Sequence, residues 1–154
     1  METRELVSRL HTLVKLDIDA VRAYEQAMEK IEVVSIRNQL EQFKADHERH
    51  ITELSEAIQR FGGEAPKMSP DLKGFLIEGF TALRSVTGTE GALKAMQMNE
   101  KLTNKTYEDA ISWNVPADIR TVLVRGLDDE RRHLEYIQHA IESRIWESVD
   151  RKTA

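Results

Sequence analysis

Four stretches of this chain place apolar residues alternately three and four apart, the spacing of a helix that buries one stripe, and each stripe is interrupted by residues that seldom enter a core unpaired. The first reads Leu6, Leu10, Leu13, Asp17, Ala20, Tyr24, Ala27 and Ile31. The second runs Ile36, Leu40, Phe43, His47, His50, Leu54, Ala57 and Phe61; the third Leu93, Met96, Glu100, Thr103, Tyr107 and Ala110; the fourth Ile119, Leu123, Gly126, Glu130, His133, Ile137 and Ala140. Burying an unpaired charge costs several kcal/mol at least, so Asp17, His47, His50, Glu100, Glu130 and His133 need partners inside the fold, and a metal ion is one that serves all six.

The second half of the chain repeats the first at a fixed offset without a gap. Asp17 maps to Glu100, Tyr24 to Tyr107, Leu40 to Leu123, Asp46 to Asp129, Arg49 to Arg132, His50 to His133 and Ala57 to Ala140. In an antiparallel helix pair, residues equally far from the turn lie at equal height. Asp17 and His50 are symmetric about the Val33–Val34 turn, as Glu100 and His133 are about Pro116. Two equivalent hairpins packed through a pseudo-two-fold axis would therefore bring all six side chains to one level of the core.

The element reading follows. A helix over about 3–32 and one over about 35–61, with Ser35 as N-cap and Gly62-Gly63 as stop, form a hairpin over about 3–61. A crossover over about 62–88 contains a short helix, opened by Ser69-Pro70 and carrying Leu72, Phe75, Leu76, Phe80, Leu83 and Val86 on one face. A second hairpin over about 89–146 has one helix from about Thr89 to Trp113 and another from the Asn114-Val115-Pro116 corner to near Trp146. With 154 residues, three prolines and seven glycines, the chain reads as one all-α domain spanning 1–154.

Composition narrows the chemistry. There is no cysteine, which removes disulfides, thiolate nucleophiles, iron–sulfur clusters and Cys-ligated zinc, and leaves His and carboxylate to hold any metal. The formal net charge is −5, with basic and acidic residues interleaved, so nucleic acid and anionic membrane are not expected partners. No apolar run approaches the ~20 residues of a membrane span and Met1 to Leu10 lacks a signal-peptide core, so the expected location is cytoplasmic.

His-x-x-His at 47 and 50 and Glu-x-x-His at 130 and 133 each place two side chains on one helical face about a turn apart. A carboxylate from each of two helices plus such a pair from each of the other two is the pattern of carboxylate-bridged di-metal bundles. In these residues, over positions 3–146, the chain resembles the ferritin-like superfamily, which includes bacterioferritin and the diiron domain of rubrerythrin, and most of all its small bacterial members with an extended crossover. The resemblance implies a four-helix bundle of two antiparallel hairpins joined by a long crossover. It also implies Asp17 and Glu100 as terminal carboxylates, Glu130 as a bridging carboxylate, and His50 and His133 as imidazole ligands. Tyr24 and Tyr107 would donate hydrogen bonds to the bridging groups, and Asp46 and Asp129 would orient histidines of the opposite helix.

Two positions depart from the family pattern. Asp17 stands where Glu is usual, and His47 stands where the second bridging Glu is expected. Three carboxylates leave two divalent ions with a formal +1, which weakens two-metal occupancy and also permits a single ion, with iron most expected and zinc, manganese or copper compatible. The function implied is a non-haem iron or diiron oxidoreductase, ferroxidase- or peroxidase-like, reacting with dioxygen or peroxide and needing an external electron donor, since the cysteines of a rubredoxin-type donor are absent. The alternatives are a non-catalytic metal-binding or stress-associated helical protein and a dimerising scaffold with a vestigial site; a homodimer is compatible with each. Nothing after Trp146 reads as a fifth helix or a basic tail, so neither a 24-subunit cage nor a DNA-protecting relative is expected. The ordinary imidazole pKa places proton-driven metal loss at about pH 6 to 5.

Overall fold

In a computed structural model, described over residues 1–67, 83 and 86–147, the chain forms four long helices: α1 Thr3–Glu29, α2 Val34–Arg60, α3 Gly88–Ala110 and α4 Ala117–Ser143. The described residues contain no strand. The expected short crossover helix, with Ser69, Pro70, Leu72, Phe75, Leu76 and Phe80, lies outside the described residues, while Leu83 is buried and Val86 packs against the core.

Local chemistry sets the helix ends, not always by the expected device. Ser35 is not the N-cap of α2. Buried Val33 takes that position in an extended conformation, and its carbonyl accepts from the amide of Arg37 at 3.0 Å. The burial of Ile31 and Val33 on either side of the turn fixes the entry to α2, leaving the Ser35 hydroxyl exposed. The stop at the glycines is as expected. Gly62 has φ +80, and the amides of Gly62 and Gly63 donate to the carbonyls of Gln59 and Ile58 at 3.0 Å each, the paired closure that a left-handed residue allows. α3 ends at Ala110, three residues before Trp113; the amides of Ser112 and Trp113 close its last turn on the carbonyls of Asp109 and Ala110 at 3.1 Å each, and the Arg120 guanidinium donates to the carbonyls of Ile111 and Trp113 beyond it. α4 ends at Ser143, where Arg144 turns left-handed at φ 48, and Trp146 folds back into the core beyond it.

Cross-helix pairs fix the topology. Tyr24 meets Glu100 while Tyr107 meets Asp17, so α1 and α3 run antiparallel; His50 meets Asp129, Arg125 meets Glu53 and Arg60 meets Asp118, so α2 and α4 do as well. With antiparallel pairing within each hairpin, α2 ends where α4 begins, and α3 begins at the opposite end, where Lys30 Nζ donates to the Val86 carbonyl at 2.8 Å. The connection after α2 therefore joins opposite ends of the bundle. This is the ferritin-like arrangement of two hairpins.

The apolar core comes in two parts. One, at the α1–α2 turn end, gathers Ala27, Ile31, Val33, Ile36, Leu40, Phe43, Leu93, Met96, Ile137 and Trp146. The other, at the opposite end, gathers Leu6, Leu10, Leu13, Leu54, Ile58, Ala110, Ile119, Leu123 and Leu127. The polar interruptions of the four stripes form the layer between them.

Candidate metal centre

Burial makes this polar layer costly. Asp17, His47, Glu100, Glu130 and His133 are 0% exposed and His50 is 3% exposed, so each must be satisfied within the layer. α1 supplies Asp17, α2 supplies His47 and His50 one turn apart, α3 supplies Glu100, and α4 supplies Glu130 and His133. The six fall into two overlapping groups with one ligand-type atom per residue, all within 4.8 Å of one another: Asp17, His47, His50 and Glu130, then His47, Glu100, Glu130 and His133. His47 and Glu130 belong to both.

The two outer histidines are held alike. His133 Nε2 lies 2.8 Å from Asp46 on α2, and His50 Nε2 lies 2.9 Å from Asp129 on α4, so each hairpin's aspartate steers the other hairpin's imidazole. The opposite ring nitrogens point inward. His50 Nδ1 is 3.1 Å from Asp17 and 3.5 Å from Glu130 Oε1; His133 Nδ1 is 3.5 Å from Glu100 and 3.7 Å from Glu130 Oε2. Fixing the outer nitrogen in this way sets ring orientation and turns the inner one toward the carboxylates of the layer, where it could meet a metal ion. Arginines from the surface complete the arrangement: Arg49 pairs with Asp129 and Asp46, and Arg132 reaches Asp46 and Asp129 at 2.9 Å each.

The tyrosines do not meet the carboxylate expected to bridge. Tyr107 Oη donates to Asp17 at 2.7 Å and Tyr24 Oη donates to Glu100, the two carboxylates on the helices facing them. The reason is the antiparallel packing of α1 and α3, which sets each tyrosine opposite the other helix's carboxylate. Glu130 is served instead by Thr103, whose hydroxyl lies 2.9 Å from Oε2. Asn104 also belongs to the site. Its amide donates to the main-chain carbonyls of Glu100 and Glu130 at 2.8 and 2.9 Å and ties α3 to α4. Neither Asn104 nor the arginines stand on an apolar stripe, but the repeated Asp-x-x-Arg-His segments at 46–50 and 129–133 carried the signal for Arg49 and Arg132.

The electrostatics are those of clustered opposite charges in a dry layer. Burial pushes Asp17 up, but the charge of His50 and the hydrogen bonds of His47 and His50 outweigh it and bring the carboxyl down to about 2. Burial lowers His50 and His133, yet Asp17 and Asp129 raise the first to about 9, and Asp46, Glu100 and Glu130 raise the second to about 10. Burial raises Glu130, with the Glu100 charge adding to it against the pull of His47 and His133. Tyr24 and Tyr107 are raised by burial and by their carboxylate partners, so both hold their protons.

The donor set fits a divalent cation. Among the described residues Glu130 Oε1, on the His50 side, and His133 Nδ1, on the other, are buried without a hydrogen-bond partner, each a cost of about 1–3 kcal/mol that a cation bound beside it would remove. Three carboxylates and three imidazoles, without sulfur, suit iron, manganese or zinc.

No curated protein matches the chain in sequence. A solved structure of ferritin-like, diiron-carboxylate proteins from Bacillus anthracis str. Ames superposes on it with a TM-score of 0.68, covering 92% of this chain and 99% of that one at 17% identity, a likeness of fold. Residues 5–113, through α1, α2 and α3, match the family described as Domain of unknown function (DUF2383), a stretch that stops short of Glu130 and His133. On that match, which spans well over half of its length, and with its ferritin-like fold, the chain belongs to the DUF2383 family.

Proposed function

We propose that this protein binds iron, one ion or a pair, in the central polar layer and uses it as a non-haem oxidoreductase of ferroxidase or peroxidase type. The observation that carries the reading is the pair of overlapping ligand groups sharing His47 and Glu130. Bound iron would supply the electron transfer to dioxygen or peroxide. The chain's own residues supply the rest. Asp46 and Asp129 keep the outer nitrogens of His133 and His50 occupied, so the inner nitrogens face the centre. Tyr107 and Tyr24 hold Asp17 and Glu100 by hydrogen bonds whose protons stay on the phenols.

Access decides the size of the reactant. None of the six residues is more than 3% exposed, which suits dioxygen or peroxide rather than a bulky organic substrate. The hollow of about 730 Å³ between α2 and α4 is lined by Glu53, Glu56, Gln59, Arg60, Val122 and Arg125 and includes none of them. Electrons would come from an external donor.

Metal analysis of the protein as purified, followed by aerobic Fe(II) titration watched optically, tests this. Stoichiometric iron uptake with oxidation faster than that of free Fe(II) is the expected result. Uptake without accelerated oxidation would leave a non-catalytic metal-binding protein, and no uptake at neutral pH would overturn both readings.

A further inference from the structure

His47 is unlike the other two histidines of the centre. His50 and His133 each turn one ring nitrogen outward to an aspartate, whereas both nitrogens of His47 stay inside the layer and face different ligand groups. Its Nδ1 lies 2.7 Å from Asp17 Oδ1 and 3.4 Å from Glu130 Oε1, on the side of His50. Its Nε2 lies 3.4 Å from Glu100 Oε1, on the side of His133. Glu130 is divided in the same way, with Oε1 3.5 Å from His50 Nδ1 and Oε2 3.7 Å from His133 Nδ1. The ring is fully buried and lies 5.5 Å from the Tyr24 ring, 5.5 Å from His50 and 5.1 Å from His133, centroid to centroid, which leaves it little room to turn either nitrogen away.

From this placement we infer that His47 is a two-ended ligand that joins two metal ions through its ring, Nδ1 binding the ion shared with Asp17, His50 and Glu130, and Nε2 binding the ion shared with Glu100, His133 and Glu130. The inference rests on the metal-centre reading above. Coordination at both nitrogens requires the neutral ring to give up its remaining N–H proton, which passes to solvent as the second ion binds. The ring's negative charge then does the work of the missing fourth carboxylate: three carboxylates and one imidazolate neutralise two divalent ions. It also fixes their spacing. An imidazole ring holds its two ligated ions farther apart than the ~3.5–4 Å of carboxylate-bridged pairs, so this centre differs in kind from a compact diiron site.

Copper(II) is a suitable probe, because each isolated ion gives an electron paramagnetic resonance signal and two ions joined through an imidazolate quench one another. The metal-free protein is titrated with Cu(II) and its spectrum recorded at one and two equivalents. The expected result is a full signal at one equivalent and loss of most of it at two. In His47→Gln, which is similar in size but cannot join two ions through a conjugated ring, any second copper should leave the signal undiminished. X-ray absorption on the Co(II)-loaded wild type supplies a measurement that needs no variant, and a cobalt–cobalt distance beyond 4 Å is expected there. A 3.5–4 Å distance, an undiminished copper signal at two equivalents, binding that stops at one ion, or quenching retained in His47→Gln would each overturn the bridge while leaving the metal centre standing. Failure to bind copper or cobalt at all would remove the centre and the bridge together.

Discussion

Gly126 on α4 faces the ring of Tyr107 on α3 so closely that a methyl group added at Gly126 would lie 2.5 Å from Tyr107 Cε1. The repeat places Phe43 at the equivalent position of the first hairpin, where it packs edge-on against Tyr24 with centroids 6.4 Å apart. One half thus packs its tyrosine against a side chain and the other against bare backbone.

Gly126→Ala should therefore destabilise the protein despite the gain of about 1 kcal/mol in helix propensity, because displacing a fully buried ring costs about 1–3 kcal/mol and breaks its hydrogen bond to Asp17. In a Tyr107→Leu background the same substitution should cost little or stabilise. A double-mutant cycle followed by thermal unfolding checks this, and equal costs in both backgrounds would show that the ring is not what Gly126 accommodates.

His133→Ala should reduce bound metal to a small fraction of wild type, since it deletes an inward nitrogen of the centre. His139→Ala, at an exposed position on the same helix, should leave occupancy unchanged. Elemental analysis of the two variants purified side by side gives the comparison, and equal metal in both would remove His133 from the site.

The metal-free protein and the metal complex should respond to pH in opposite directions. With His50 raised to about 9 and His133 to about 10, their protonated forms contribute stability that is complete below the ordinary 6.5 and is lost as pH rises through 9 to 10. Asp17, brought down to about 2, contributes stability that is present above the ordinary 3.8 and lost as pH falls through 2. The metal-free bundle should be most stable between about pH 4 and 6.5. Metal binding requires the same imidazoles without their protons, so affinity should weaken steadily as pH falls below about 9, well above the pH 6 to 5 window that an ordinary histidine gives. Zinc affinity measured from pH 6 to 9 checks it, and a flat profile would contradict the raised imidazoles.

His47→Glu should bind two ferrous ions more tightly and oxidise them faster in air, because a fourth carboxylate offers a compact second bridge. Without metal the variant should be less stable than wild type, since the new carboxylate would lie among Asp17, Glu100 and Glu130, the groups that now surround His47. Iron stoichiometry and thermal unfolding with and without iron distinguish these effects. A variant that loses stability and gains no iron would count against a two-ion centre.

The polar layer was legible in the sequence because burial imposes a period, and Asp17, His47, His50, Glu100, Glu130 and His133 violate that period at equivalent places in a repeat. The repeat also made Asp46 and Asp129 equivalent, while their role in steering the histidines was implied by the resemblance to the ferritin-like superfamily. What escaped were features decided by neighbouring helices. Which carboxylate a tyrosine meets depends on the α1–α3 pairing, and the start of α2 depends on the burial of Val33, not on the hydroxyl of Ser35. The burial of Leu16, Asp19 and Ala23, off the stripe of α1, and of Asn99 on α3 has no counterpart in a two-face helical pattern.

The crossed pairing of Asp46 with His133 and of Asp129 with His50 makes the centre a property of the docked hairpins rather than of either one. A single hairpin would keep its own carboxylate and imidazole but lose the aspartate that aims the imidazole, so strong metal capture would report that assembly is complete. The same crossing means that two identical hairpins, joined by symmetry alone, would satisfy each other reciprocally. Within one chain the two halves need not be identical, and at the equivalent positions 43 and 126, and 47 and 130, they are not: Phe43 stands where the second half has Gly126, and His47 where it has Glu130.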